Sequence, residues 1–461
     1  MSTSAASDNP PAEAPSDPYA PVRTRGYLGL LVITAALGVP VSAAAFGFLA
    51  LVSKLQKLTY TDLPKGLGFD GTPSWWPVPL LAVSGLLVGL VIRGLPGEGG
   101  HRPAQGLSAG GAPTARELPG IALAAIAALS LGAVLGPEAP LIALGGGLAV
   151  CAARLLKPDL PRNAAAIVGA AGSFAAISTL LGSPLTGAFL LMEVSTVGGA
   201  MLGVVLVPGL LAAGIGALFF TGLGDWTGLG TYSLAIHGAP HADTPDAAGF
   251  GWAVVIGLAA ALVGAGIRWA ALRLETRVAG RRLLGTAAAG VAVGLAALIY
   301  AEGSGHNASE ILYSGQDALG PLLTNHEKYT VGALLLLIVC KAAGYCLSLA
   351  AFRGGPVFPS LFVGATGGLL LTHAPGLDTT AGFAMGIGAM ATAMLRLPMT
   401  SVLLATLLLG ADGLTVMPLV IVAVVVSYVA SLRLTPRPEA AAAAAAASPP
   451  PREPSRPSPG R

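Results

Sequence analysis

Charged residues are scarce in this chain. Asp, Glu, Lys and Arg make up only 10% of its 461 residues, against roughly 25% in soluble globular domains. This scarcity excludes a soluble enzyme or binding domain of ordinary composition. The formal net charge is only +3, which gives no sign of a nucleic-acid partner.

Cysteines and catalytic motifs are also few. Cys151, Cys340 and Cys346 all lie in apolar stretches, which favours packed small residues over disulfides, a metal site or a nucleophile. The sequence lacks a His-Glu-x-x-His zinc pattern, a Gly-x-Ser-x-Gly turn and paired aspartates within apolar helices. We therefore predict that the protein is not an enzyme and needs no metal or cofactor.

Apolar residues dominate instead, at 54% of the chain. Several uncharged runs reach the roughly 20 residues that a helix needs to cross a bilayer. The runs are 26–53, 71–92, 118–137, 163–192, 194–224, 247–267, 283–301, 354–377, 379–395 and 413–432. Two shorter runs, 139–153 and 397–411, suit buried or part-way helices. The pattern predicts an all-α integral membrane protein.

The two ends of the chain differ from its middle. Residues 1–22 and 436–461 are rich in Ala, Pro and Ser, and we expect disordered tails without a cleavable signal or an accessory domain. A membrane domain then occupies 23–435. Because arginines cluster in the 273–282 loop and near both ends of this domain, the positive-inside rule places both termini in the cytoplasm.

The membrane domain contains a weak internal repeat, with halves of about 23–235 and 245–435. Each half has a Gly/Pro-rich break that opens an apolar helix, followed by a Pro-[Leu/Met]-Thr break that opens another. The stretches are "LGPEAPLIALGGG" (135–147) and "GSPLTGAFLLMEV" (182–194), then "GGPVFPSLFVGATGG" (354–368) and "RLPMTSVLLATLL" (396–408). Paired breaks in corresponding places of two halves indicate a transporter binding site.

Glu138 is a lone ionisable residue at the first break. A helix that begins inside the membrane directs unpaired N–H groups and a positive dipole at the space ahead, which suits an anion. An ionised Glu138 competes with that anion, whereas a protonated one is free to swing away. Burial disfavours the carboxylate and helix N–H groups favour it, so we predict a proton-dependent gate. The alternative is a plain N-terminal capping glutamate.

Taken in order, these segments resemble the chloride channel/transporter (CLC) family. "GGHRPAQGL" (99–107) is a weaker match, and the similarity covers about 99–410. It implies a divergent bacterial-type member without a C-terminal regulatory domain. It also implies a homodimer in the lipid of a bacterial plasma membrane, with two inverted repeats of tilted and broken helices in each subunit. The expected substrate is chloride or a related anion, moved passively or in exchange for protons.

The resemblance assigns roles to particular residues. Glu138 takes the gating position, and Glu193 is a candidate proton relay with helix anchoring as the alternative. The anion-binding positions are His101, Gly136, Ala139, Pro140, Val357 and Phe358. Arg102 either adds positive charge at the inner mouth or is an ordinary loop arginine. Lys341 either shapes the field of the pathway or extends its side chain to an interface.

Several positions depart from the family pattern. Pro137 replaces a basic residue, Ala139 replaces a glycine, and Pro356 lacks an N–H where the family offers a donor. Val194 follows Glu193 where antiporters carry a second acid, and no tyrosine matches the late pathway tyrosine. These departures predict weak or absent proton coupling. The alternative function is secondary transport of another small anionic solute through the same broken-helix site.

Overall fold

The computed structural model describes residues 20–107, 111–195, 200–227 and 234–435. These residues form α-helices, short 3₁₀ and π segments and connecting loops, and they contain no β-strand. Eight of the helical segments are long and apolar enough to cross a membrane. The predicted all-α membrane fold is therefore confirmed. The predicted tails, 1–22 and 436–461, lie outside the described residues except for 20–22.

Sixteen α-helices occur in the described part of the chain. They are α1 (Arg25–Lys57), α2 (Leu63–Gly66), α3 (Pro77–Gly94), α4 (Leu118–Ser130), α5 (Glu138–Leu156), α6 (Arg162–Leu181), α7 (Pro184–Val194), α8 (Ala200–Thr227), α9 (Ala247–Gly280), α10 (Arg282–Ser304), α11 (Leu319–Thr324), α12 (Val331–Ala351), α13 (Val357–Leu371), α14 (Thr379–Leu395), α15 (Pro398–Leu408) and α16 (Ala411–Leu434). The expected breaks separate α4 from α5, α6 from α7, α12 from α13 and α14 from α15.

Glycine allows the helices of the core to approach closely. On α13, a Cβ at Gly364 would collide with the carbonyl of Gly386, and one at Gly368 would collide with that of Gly382. These glycines are spaced four residues apart on both helices, as in the small-residue seams of membrane helix pairs. The seam lets α13 and α14 pack backbone to backbone, and nearly all of both helices is buried.

The arginine-rich segments share one end of the helix bundle, which we call the basic face. The end of α3 meets the start of α10 around Arg93 and Arg282, and the end of α16 meets the last part of α9 around Thr435 and Thr276. At the opposite end, the Trp76 indole donates to the Thr59 carbonyl at 3.0 Å. Because α1 and α3 join there, α1 begins at the basic face.

Candidate anion site

The two Gly/Pro breaks meet in the interior. The Gly136 N–H donates to the Gly355 carbonyl at 2.8 Å, and the Gly355 N–H donates to the Gly136 carbonyl at 2.5 Å. This short antiparallel bridge joins residues more than 200 positions apart in the sequence. It places the N-termini of α5 and α13 side by side, one from each half, as the paired breaks predict.

Glu138 lies between these helix starts and is fully buried. Its Oε1 accepts a hydrogen bond from the Phe358 N–H at 3.0 Å, and its Oε2 has no hydrogen-bond partner among the described residues. Its carboxyl group therefore lies at the N-terminus of α13 in the other half, a position whose N–H groups and dipole suit a negative charge.

Glycine on both sides makes room for this carboxyl group. A Cβ at Gly355 would lie 2.7 Å from the Glu138 Cδ and 3.1 Å from the Ala139 nitrogen. A Cβ at Gly136 would also collide with the Glu138 carboxyl group. The two glycines thus allow a close approach that a side chain would block.

Few N–H groups remain for an anion at the start of α13. Pro356 and Pro359 have none, and the Phe358 N–H is bonded to Glu138. The first-turn N–H groups left over belong to Val357 and Ser360. As predicted from the sequence, Pro356 provides no N–H donor, and Pro359 removes a second N–H donor from the first turn of α13.

The start of α5 has a similar restriction. Pro140 has no N–H, and the Leu141 N–H donates to the Pro137 carbonyl at 3.0 Å. The remaining first-turn N–H groups belong to Glu138 and Ala139. Among the predicted anion-binding positions, Pro140 thus offers no N–H donor.

Two hydroxyl groups of α12 form hydrogen bonds with the breaks, and no motif in the sequence pointed to them. The Tyr345 hydroxyl donates to the Pro356 carbonyl at 2.7 Å, and the Ser348 Oγ accepts from the Val134 N–H at 3.0 Å. Both residues are fully buried. The sequence feature that could have identified these residues is their spacing. Tyr345 and Ser348 are hydroxyl residues three positions apart, on one face of an apolar helix just before a break.

His101 lies in the loop between α3 and α4, at the basic face. One ring nitrogen bonds with the Gly106 carbonyl at 2.9 Å, so this bond stays within the loop. Desolvation lowers the pKa of His101, and the positive charge of Arg353 lowers it further, against the effect of the Gly106 carbonyl. The ring is consequently neutral at pH 7.

Arg102 belongs to an ion-pair network beside His101. It contacts Glu98 at 3.1 Å and Glu275 at 3.6 Å, and Arg282 contacts Glu98 at 3.3 Å. These bonds from Arg102 and Arg282 hold the pKa of Glu98 below its usual range. The Arg353 Nε donates to the Glu98 carbonyl at 3.1 Å. The charge of Arg102 is therefore paired, and the network joins this loop to the second break.

Glu193 caps another helix. Its Oε1 accepts the Met399 N–H at 2.9 Å and its Oε2 accepts the Thr400 N–H at 2.7 Å. These are first-turn donors of α15, which leave that end of the helix satisfied. The geometry matches the anchoring alternative, and a relay role for Glu193 stays a prediction.

The ammonium group of Lys341 also has its hydrogen-bond partners in the backbone. Its ammonium group donates to the carbonyls of Glu310, Leu312 and Tyr313 at 3.0, 2.9 and 3.3 Å. The side chain is fully buried, so extension to a lipid or water interface is excluded. Lys341 instead fixes the loop at 310–313, which contacts the first break through a bond from the Tyr313 N–H to the Gly132 carbonyl.

The described helices thus form a membrane protein in which two broken helices, one from each half, meet at a buried carboxyl group. A sequence model of the family described as "Voltage gated chloride channel" matches residues 80–432. The chain therefore belongs to the CLC family of anion channels and antiporters. "Putative ion-transport protein YfeO" of Escherichia coli (strain SMS-3-5 / SECEC) is 30% identical over 359 residues, which cover 77% of this chain and 81% of that protein.

Solved structures share the fold. A slow cyanobacterial Cl⁻/H⁺ antiporter superposes with a TM-score of 0.69 at 16% identity, covering 88% of this chain and 94% of that one. A CLC-type fluoride/proton antiporter superposes with a TM-score of 0.68 at 19% identity, covering 89% and 97%. The predicted family and fold are confirmed.

Proposed function

We propose that the protein carries a chloride-like anion across the membrane along a pathway gated by Glu138. One observation carries the proposal: the Glu138 carboxylate accepts the Phe358 N–H at the start of α13. A negative side chain and a negative ligand compete for this donor, because both are stabilised by the same N–H groups and helix dipole. In this conformation the side chain takes the place of the anion.

Protonation of Glu138 releases the gate in this proposal. A neutral carboxyl group gains less from the helix dipole and from the Phe358 N–H, since charge-assisted hydrogen bonds are roughly twice as strong as neutral ones. The side chain then leaves, and the N–H groups of Glu138, Ala139, Val357 and Phe358 face the anion. The same geometry would serve another small anionic solute, which is the second candidate.

Proton coupling is proposed to be weak or absent. Val194 carries no titratable group, and both oxygens of Glu193 are already bonded to α15. Coupling also requires that proton and anion states exclude one another at a well-formed site. The prolines at 356 and 359 leave the start of α13 with fewer donors.

The gating proposal is tested by anion flux from liposomes as a function of pH. Glu138→Gln mimics the protonated side chain, so its flux should be high and insensitive to pH. Glu302→Gln is the matched control, because Glu302 lies at the far end of α10 and bonds to Ser74. A Glu138→Gln variant that keeps the pH dependence of the unmodified protein would show that Glu138 is structural.

Coupling and substrate are tested in the same liposomes. With the voltage clamped, a chloride gradient should fail to drive protons uphill, and robust uphill movement would overturn the proposal. Parallel measurements with nitrate, fluoride and a small organic acid identify the preferred anion. A protein that carries only the organic acid would establish the second candidate.

Assembly and orientation are proposed from the same family membership. We expect a homodimer with one anion pathway per subunit, and the basic face in the cytoplasm of a bacterium. The shared location of the arginine-rich segments at one face supports this orientation. Cross-linking in native membranes and labelling of cysteines introduced at the 281–282 turn would test the two expectations.

A further inference from the structure

Arginine side chains without acidic partners meet near the basic face, apart from the Glu98 network. Arg268 of α9 lines the same cavity as Thr435, and the Thr435 Oγ1 accepts a hydrogen bond from Arg396, which follows α14. In the described part of the chain, neither forms an ion pair with a carboxylate. Like charges held together away from bulk water are unfavourable unless an anion compensates them.

The backbone at Arg396 adds to this cost. Its φ is 62°, in the left-handed region where glycine or asparagine is the usual residue after a helix. An arginine in this conformation is strained relative to glycine. The chain therefore keeps a cation at a position that local conformation alone would give to another residue.

A cavity of about 350 Å³ lies beside these arginines, between α9, α14 and α16. Arg268, Ser431 and Thr435 are among its lining residues. The Ser431 side chain is 6% exposed, and its hydroxyl group has no hydrogen-bond partner. The Arg396 Nη2 donates to the Thr435 Oγ1 at 2.9 Å, while its Nε is buried without a partner. A buried donor left unpaired is costly. An anion in the cavity would accept a hydrogen bond from Ser431, and Arg396 reaches the wall of the same cavity through Thr435.

Packed helices connect the cavity with the Glu138 site. Helix α9, which carries Arg268, packs directly against α12, which carries Tyr345. The Tyr345 hydroxyl also donates to the Pro356 carbonyl at 2.7 Å, at the start of α13. The cavity at the basic face is therefore linked to the Glu138 site through α9 and α12.

We propose that Arg268, Arg396 and Ser431 form a second anion site, which recruits a monovalent inorganic anion from the basic face. The inference rests on the proposed anion transport and adds its entry point. Guanidinium groups are weakly hydrated, so they exchange their water for an anion readily. A local excess of positive charge also raises the concentration of anions and their rate of arrival.

The test uses the full chain in liposomes, with initial chloride flux measured over a range of chloride concentrations. Arg268→Gln and Arg396→Gln should each raise the half-saturating concentration roughly tenfold and leave the maximal rate near its original value. A tenfold change is about 1.4 kcal/mol, close to the contribution of one hydrogen bond to a charged group. Arg268→Lys should restore most of the affinity, because it keeps the charge.

Arg277→Gln is the matched control, since Arg277 is an exposed residue on the same helix and does not line the cavity. A second readout is a crystal soaked in bromide, which should show an anomalous peak between the two guanidinium groups. That peak should disappear in the double variant R268Q/R396Q.

These experiments distinguish a failure of the second anion site from a failure of the proposed anion transport. The proposal of a second anion site would be wrong if Arg268→Gln and Arg396→Gln had the same half-saturating chloride concentration as Arg277→Gln. A bromide soak without a peak in the cavity would also contradict it. A protein that carries no anion at all would overturn the proposed function, while the bromide peak still decides the site. If a glutamine variant fails to fold, Arg268→Lys and the bromide peak in the unmodified protein decide it.

Discussion

Replacing Gly355 with alanine should open the anion pathway while Glu138 is still present. The added Cβ would collide with the Glu138 carboxyl group and approach its Cδ to 2.7 Å. Because this group is the far end of a flexible side chain, it can move away at little cost. Backbone strain is small, since Gly355 has no positive φ. The Ala139 nitrogen, 3.1 Å from the new Cβ, must shift by only a few tenths of an ångström.

The magnitude follows from the bond that is lost. A hydrogen bond between an N–H and a charged group contributes about 1.5–3 kcal/mol. Loss of the Glu138 bond to Phe358 should therefore shift the equilibrium toward the open gate by roughly ten- to a hundredfold. Chloride flux from liposomes should rise at neutral pH and lose most of its pH dependence. The double variant with Glu138→Gln should show no further increase.

Gly354→Ala is the matched control for this experiment. Its Cβ would meet the Leu135 Cβ at 2.6 Å and the Gly136 carbonyl at 3.0 Å, and these atoms cannot move without shifting the backbone. It should lower thermal stability without opening the gate. A Gly355→Ala protein that is folded and keeps the flux and pH profile of the unmodified protein would refute the idea that the carboxylate blocks the site.

Three further predictions follow from the contacts around the site. Tyr345→Phe removes the hydrogen bond to the Pro356 carbonyl and should lower the free energy of unfolding by about 1 kcal/mol, which a lower melting temperature would show. It should also alter the anion affinity measured in flux assays. An unchanged anion affinity would mean that Tyr345 serves packing alone. Glu193→Gln weakens the cap on two N–H groups of α15 and should lower the free energy of unfolding by about 1 kcal/mol or more, measured by thermal unfolding. A variant of unchanged stability that loses proton movement would instead favour a proton relay. His101→Ala should not change the pH dependence of the flux between pH 7 and 8. Desolvation lowers the pKa of His101, so the imidazole is already neutral throughout this interval. A flux change between pH 7 and 8 that disappears in the variant would contradict this prediction.

The sequence alone determined the membrane fold and the position of Glu138 at a helix break. Long uncharged runs require helices in lipid, where every backbone group must be satisfied within the segment. Gly/Pro breaks interrupt such runs only where the backbone lines a cavity or is buried in protein. The position of Glu138 at one of these breaks could therefore be predicted without coordinates. The free state of all three cysteines also agrees with what their apolar surroundings indicated.

Only the tertiary structure decided which groups meet. The Phe358 N–H that Glu138 accepts is 220 residues away, and the α15 donors that Glu193 caps are 206 and 207 residues away. Periodicity and turn chemistry describe neighbours in the chain, whereas these contacts depend on how the two halves pack. The unpaired cluster of Arg268 and Arg396 arises in the same way. Each arginine alone is ordinary near a membrane surface, and their proximity is set by the crossing of α9, α14 and α16.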